Sequence, residues 1–109
     1  MLLTTTSTIQ GNITIDYIGV ITGEAVLGVN MFKDIQAQAR DIVGGRVASY
    51  EKEFATAREI ALSELQAVAT LLGANAVIGI SIDYDTLSSS SMLMVTATGT
   101  AVNYTQYAR

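Results

Sequence analysis

The sequence predicts an α+β sandwich: one antiparallel sheet with two helices packed on one face, in the order strand-helix-helix-strand-strand. Three observations point there. A β-branched run alternates with polar residues over 13–21. Apolar residues at spacings of three and four fill 50–72. Two further alternating runs, 76–85 and 92–102, close the chain.

The first run reads "ITIDYIGVI", with Ile13, Ile15 and Tyr17 alternating with Thr14 and Asp16. After Tyr17 the pattern slips, and Ile18 and Val20 are expected on the opposite face. Gly19 inside the run suggests a bulge or a close backbone approach. A strand apolar on both faces calls for cover on both sides. The strand is expected to bend at Gly23 and continue through "EAVLG".

Residues 33–43, "KDIQAQARDIV", form the first expected helix, with Asn30 as a cap and Gly44 just past its end. Ser49 then caps a longer helix running to about Leu72. Glu51 and Glu53 in its first turn suit its positive end. Tyr50, Phe54, Ala57, Ala61, Leu65, Val68 and Leu72 make its apolar stripe, and Gly73 ends it.

In the penultimate strand Ile78, Ile80, Ile82 and Tyr84 share a face opposite Gly79, Ser81, Asp83 and Asp85. Four serines, 88–91, make the turn. The last strand has Leu93, Val95, Ala97, Gly99 and Ala101 on one face, small enough for an alanine-rich helix to lie close. Met92, Met94, Thr96, Thr98 and Thr100 occupy the other, which suits either a plain strand surface or the lining of an inter-subunit channel.

At 109 residues the chain is one domain, 1–109. Half its residues are hydrophobic and only 15% are charged, more apolar material than one small core readily hides. Either the core is tight and rich in Ala and Val, or some apolar surface is buried between subunits. The net charge is −4 and the six basic residues are scattered, so no stripe exists to neutralise phosphates. Neither nucleic acid nor an anionic membrane is an expected partner. No signal peptide or membrane-length apolar run is visible, and a cytoplasmic location is expected.

The chain has no Cys and no His. Disulfides, thiolate nucleophiles, Ser-His and Cys-His catalysis, and the usual zinc and copper donor sets are thereby excluded.

The blocks "ITGE" (21–24), "DIVGGR" (41–46), "YEKE" (50–53), "LGANAVIG" (72–79) and "SMLMVTATGTAV" (91–102) resemble, in order, the YbjQ-like family of small bacterial proteins. Val47 departs from that pattern, which has Ser after Gly-Gly-Arg. The resemblance implies a compact α+β subunit of dodecin-like shape, assembled as a homo-oligomeric ring, with five subunits as first choice. It also implies metal binding, since heavy-metal binding is ascribed to the family. Soft ions prefer thiolate, thioether and imidazole. This chain offers them only Met1, Met31, Met92 and Met94. Asp83, Asp85, Asp16 and Glu24 would suit a hard cation better.

The segment "RDIVGGRVASYEKE" (40–53) crowds Arg40, Asp41, Arg46, Tyr50 and Glu51 around two glycines. It is no P-loop, because the Lys-Ser pair is missing and a helix rather than a strand precedes it. One reading is an anion or ligand site at the helix start near Arg46, with Glu24 and Asn30 beside it. The other is a corner whose Arg40 and Arg46 pair with Asp41, Glu51 or Glu24. The function class expected is a non-enzymatic homo-oligomer that binds a small ligand or ion at a subunit cleft. A purely structural or partner-binding ring is the alternative, and an enzyme using Glu24, Arg46 and Tyr50 a third.

Overall fold

A computed structural model describes residues 1–27, 48–87 and 92–108. Its elements are β1 (Leu2–Leu3), β2 (Ile13–Leu27), α1 (Ala48–Leu71), β3 (Ala76–Leu87) and β4 (Met92–Gln106). The strands form one sheet in the order β1-β3-β4-β2. β4 is antiparallel to both β2 and β3, whereas β1 is parallel to β3.

This corrects the expected architecture. The sheet is four-stranded and mixed, and the described residues hold one helix rather than two. The helix expected over 33–43 lies outside the described residues. The extra strand escaped notice because two residues are too short to show periodicity. It is held by backbone geometry instead: Thr4 N donates to Val77 O at 3.0 Å and Ile80 N to Thr4 O at 3.1 Å.

Two bulges decide which residues face where. In β2, Tyr17 opposes Val102 and Gly19 opposes Ala101, so Ile18 is the extra residue. The slip seen in the sequence is this bulge. Tyr17 and Val20 therefore share one face, opposite Val102 and Thr100, instead of lying on opposite faces. In β3 the register shifts between Ile78 and Ser81, where Gly79 has a φ of 62°, the left-handed conformation of a glycine-led bulge.

Beyond its bulge β2 buries Ile21, Ala25 and Leu27 against α1, which contributes Ala57, Ala61, Leu65 and Ala69. β3 and β4 add Val77, Ile80, Leu93, Val95, Ala97 and Ala101 to the same core. A second cluster lies on the opposite face, where Ile9 and Ile15 pack on Ala76, Ile78 and Val102. The N-terminal segment thus supplies part of the cover that a doubly apolar strand requires.

The ladder of β2 with β4 runs through Gly23 and Ala97 without a register shift, and the glycine serves helix packing. A Cβ there would overlap the Ala61 carbonyl and the Leu65 amide of α1. Gly99 makes room for something else, the side chains of Val77 and Ile80. The helix stripe is also adjusted: Ala69 is buried, whereas Leu72 stands exposed beyond the helix end. α1 begins at Ala48, which places Ser49 inside its first turn rather than at a cap.

The helix closes where expected. Ala74 N donates to Ala69 O and Gly73 N to Thr70 O, with Gly73 at φ 82°, a Schellman ending. Asn75 then acts as a piece of strand: its side chain donates to Tyr104 O at 2.8 Å and accepts from Tyr104 N at 2.9 Å.

Candidate functional site

α1 covers one face of the sheet, and the strand registers define the other. On the opposite face, uncovered among the described residues beyond the cluster of Ile9 and Ile15, β4 presents Met92, Met94, Thr96, Thr98 and Thr100, all half-buried. Cross-strand pairing arranges their neighbours in rungs. Glu24, Thr96 and Asp83 form one rung, and Thr22, Thr98 and Ser81 the next. Val26, Met94 and Asp85 form a third. Side chains at i and i+2 of a strand share a face, so these rungs make one continuous surface. It has a band of hydroxyls in the middle and carboxylates at the sides.

The apolar residues around this band are poorly covered. Val20 is 78% exposed and Tyr17 70% exposed, and Val26 is also open. On the helix, Ile60 and Leu71 are exposed as well, Leu71 to 87%.

Of the cluster expected around Glu24, only part can be placed. Asn30, Arg40, Asp41 and Arg46 lie outside the described residues. Tyr50 and Glu51 fall in the first turn of α1, with their side chains outside the described set. Glu24 is exposed on the uncovered face, and its backbone amide donates to the Glu64 carboxylate at 3.3 Å. That contact was not foreseen, because residues 40 apart show no spacing signal.

The metal candidates separate in the same way. Asp83 and Asp85 are exposed neighbours on β3. Asp16 opposes Asn103 and so lies on the other face, away from them. Glu24 and Asp83 are two strands apart, roughly 9–10 Å between backbones at ordinary strand spacing. Among the described residues no three His, Cys, Asp or Glu side chains form a group able to hold a metal ion. Met92 and Met94 share the uncovered face, whereas Met1 is exposed at the N-terminus and Met31 lies outside the described residues. Sequence reasoning also missed Arg58, whose guanidinium donates to the Tyr84 hydroxyl at 3.1 Å. Phe54 meets the same tyrosine edge-on, with ring centroids 6.0 Å apart. The signal available was the i, i+4 spacing of Phe54 and Arg58 on one helix face.

No helix among the described residues is long and apolar enough to cross a membrane. Residues 1–105 match the model of the YbjQ family, whose description reads "Putative heavy-metal-binding". Among solved structures, the chain is similar to a crystal structure of a protein of unknown function from Pediococcus pentosaceus, assigned to the DUF74 family. The two share 19% identity and a TM-score of 0.63, over 94% of this chain and 96% of the other.

Proposed function

Because the chain belongs to the YbjQ-like family, we propose that it is a non-enzymatic homo-oligomer that holds a small polar ligand or an oxygen-seeking ion in a cleft between subunits. The observation behind this is the uncovered sheet face. It combines a central band of hydroxyls, Thr22, Thr96, Thr98, Thr100 and Ser81, with flanking Glu24 and Asp83. Exposed Tyr17, Val20 and Val26 stand on the same face and favour cover by a neighbour. Five subunits is the number that the family resemblance favours.

The heavy-metal description does not suit the donors present. Soft ions take thiolate, imidazole or thioether. With no Cys and no His, the chain is left with methionines, of which Met92 and Met94 are the two sharing a described face. Carboxylate and hydroxyl oxygens suit hard cations, or the hydroxyl and amine groups of a small metabolite. A ring that only displays a surface to a protein partner is the second reading, favoured by the exposed helix residues Ile60 and Leu71.

The test compares wild-type protein with the Glu24→Gln/Asp83→Asn double variant by native mass spectrometry. Expected is an oligomer in both, with a small adduct kept by the wild type and lost from the variant. An adduct kept equally by both would move the site off this face.

A further inference from the structure

We propose that Arg58 and Tyr84 hold an oxyanion, the carboxylate or phosphate of a small molecule, on the helix side of the sheet. This site is separate from the hydroxyl band of the opposite face and does not depend on it.

Phe54 and Arg58 are four apart on α1, so they share one helix face. In β3, Ile82 and Tyr84 pair with Ala97 and Val95, which belong to the core beneath the helix. Tyr84 therefore faces α1. Phe54, packed against the same core, meets the Tyr84 ring edge-on, with centroids 6.0 Å apart and planes at 83°. The guanidinium of Arg58 donates to the Tyr84 hydroxyl at 3.1 Å.

What this arrangement lacks is a negative charge. The chain holds ten acidic residues against six basic ones, so carboxylates are plentiful. Yet Arg58 makes no ion pair among the described residues. The helix positions three and four away are Phe54, Ala55, Ala61 and Leu62, none of them acidic. Glu59 comes next in sequence and so lies about 100° further round the helix. Asp83 and Asp85 flank Tyr84, but they pair with Thr96 and Met94 on the other face of the sheet. Arg58 is nonetheless half-buried, and a charge withdrawn from water is normally compensated.

A simple tie between helix and strand would not need this chemistry. A guanidinium has five N–H donors, and a neutral phenol oxygen does not offset its charge. Having accepted from Arg58, the Tyr84 hydroxyl keeps its own hydrogen, with no acceptor among the described residues. Donors from a cation and from a phenol thus meet at one point. Tyr84 is 43% exposed, so that point opens to solvent. An oxyanion accepts from both, and arginine grips carboxylate and phosphate through paired N–H bonds. Phe54 holds the phenol in place before a ligand arrives, which lowers the ordering cost of binding.

The test titrates the full chain with inorganic phosphate and with succinate, by isothermal titration calorimetry in a buffer free of other polyvalent anions. Wild type is compared with Arg58→Met, which loses the charge, and Tyr84→Phe, which keeps the ring and loses the hydroxyl. Expected is saturable binding of at least one anion, abolished in Arg58→Met and weakened about tenfold or more in Tyr84→Phe. The anion preferred identifies the recognised group as carboxylate or phosphate. The Glu24→Gln/Asp83→Asn variant should bind it at least as tightly as wild type, which separates this site from the hydroxyl band. No binding of either anion at millimolar concentration would overturn the proposal, as would equal affinity in wild type and either single variant. Should Arg58→Met fail to fold, Tyr84→Phe decides alone. Loss of assembly in Arg58→Met, with no anion bound by wild type, would instead assign the guanidinium to a carboxylate of a neighbouring copy and overturn the ligand site.

Discussion

At Gly23 the sheet has no room for a Cβ, because the backbone amide of Leu65 in α1 lies against it. This contact sets how closely the helix approaches β2. Gly23→Ala forces the helix off the sheet and is expected to cost about 1–3 kcal/mol, the usual range for overpacking. Gly79→Ala meets no neighbour within 4 Å but must adopt a φ of +62°. Its expected cost is about 1–2 kcal/mol from backbone strain alone. Urea unfolding of both variants checks the values, and equal, negligible losses would show that the helix is free to shift.

Leu65 and Leu71 are chemically identical and occupy opposite situations. Leu65 is fully buried between helix and sheet, whereas Leu71 is 87% exposed. Leu65→Ala is expected to lose about 2–5 kcal/mol through lost burial and a residual cavity. Leu71→Ala should change the stability of a single subunit by no more than about 0.5 kcal/mol. In the oligomer it should instead weaken assembly, which dilution-dependent sedimentation would detect. A large loss of subunit stability for Leu71→Ala would show that the residue packs within its own chain.

Asn75 substitutes for a strand residue by bonding both the carbonyl and the amide of Tyr104. Asn75→Ala removes two hydrogen bonds, each with a net contribution of about 0.5–1.5 kcal/mol. The expected loss is therefore about 1–2 kcal/mol, given that the site is exposed. Faster amide exchange at Tyr104 is the local signature to measure. Unaltered exchange there would mean that backbone pairing alone holds the end of β4.

Ion preference distinguishes the donor chemistry. Calcium or manganese should raise the melting temperature more than cadmium or mercury, because the uncovered face offers mainly oxygen donors, with the Met92 and Met94 thioethers as its soft atoms and neither thiolate nor imidazole. The Glu24→Gln/Asp83→Asn variant should lose that rise. A stronger response to the soft ions would restore Met92 and Met94 as the donors to pursue.

Residue patterns revealed the long elements because each repeats its period many times. Four-residue steps through Ala57, Ala61 and Leu65 located the helix, and the alternation of Leu93, Val95 and Ala97 located the last strand. Gly19 and Gly73 also announced a bulge and a helix end. What stayed hidden depends on distance along the chain. β1 is only two residues long and has meaning only beside Val77. The packing role of Gly23 stayed hidden because nothing local reveals a helix crossing above it. The functional residues were harder still. The charged cluster at 40–53 falls largely outside the described residues. The rung of Glu24, Thr96 and Asp83 exists only once three strands, far apart in sequence, have taken their register.

Native mass spectrometry of gently purified protein, before and after chelation and dialysis, tests the homo-oligomeric binder most directly. The predicted result is a discrete oligomer carrying a stoichiometric small adduct, whose mass identifies it as ion or metabolite. A clean monomer without adduct would contradict it, and would leave Tyr17, Val20 and Leu71 exposed for some purpose other than self-association.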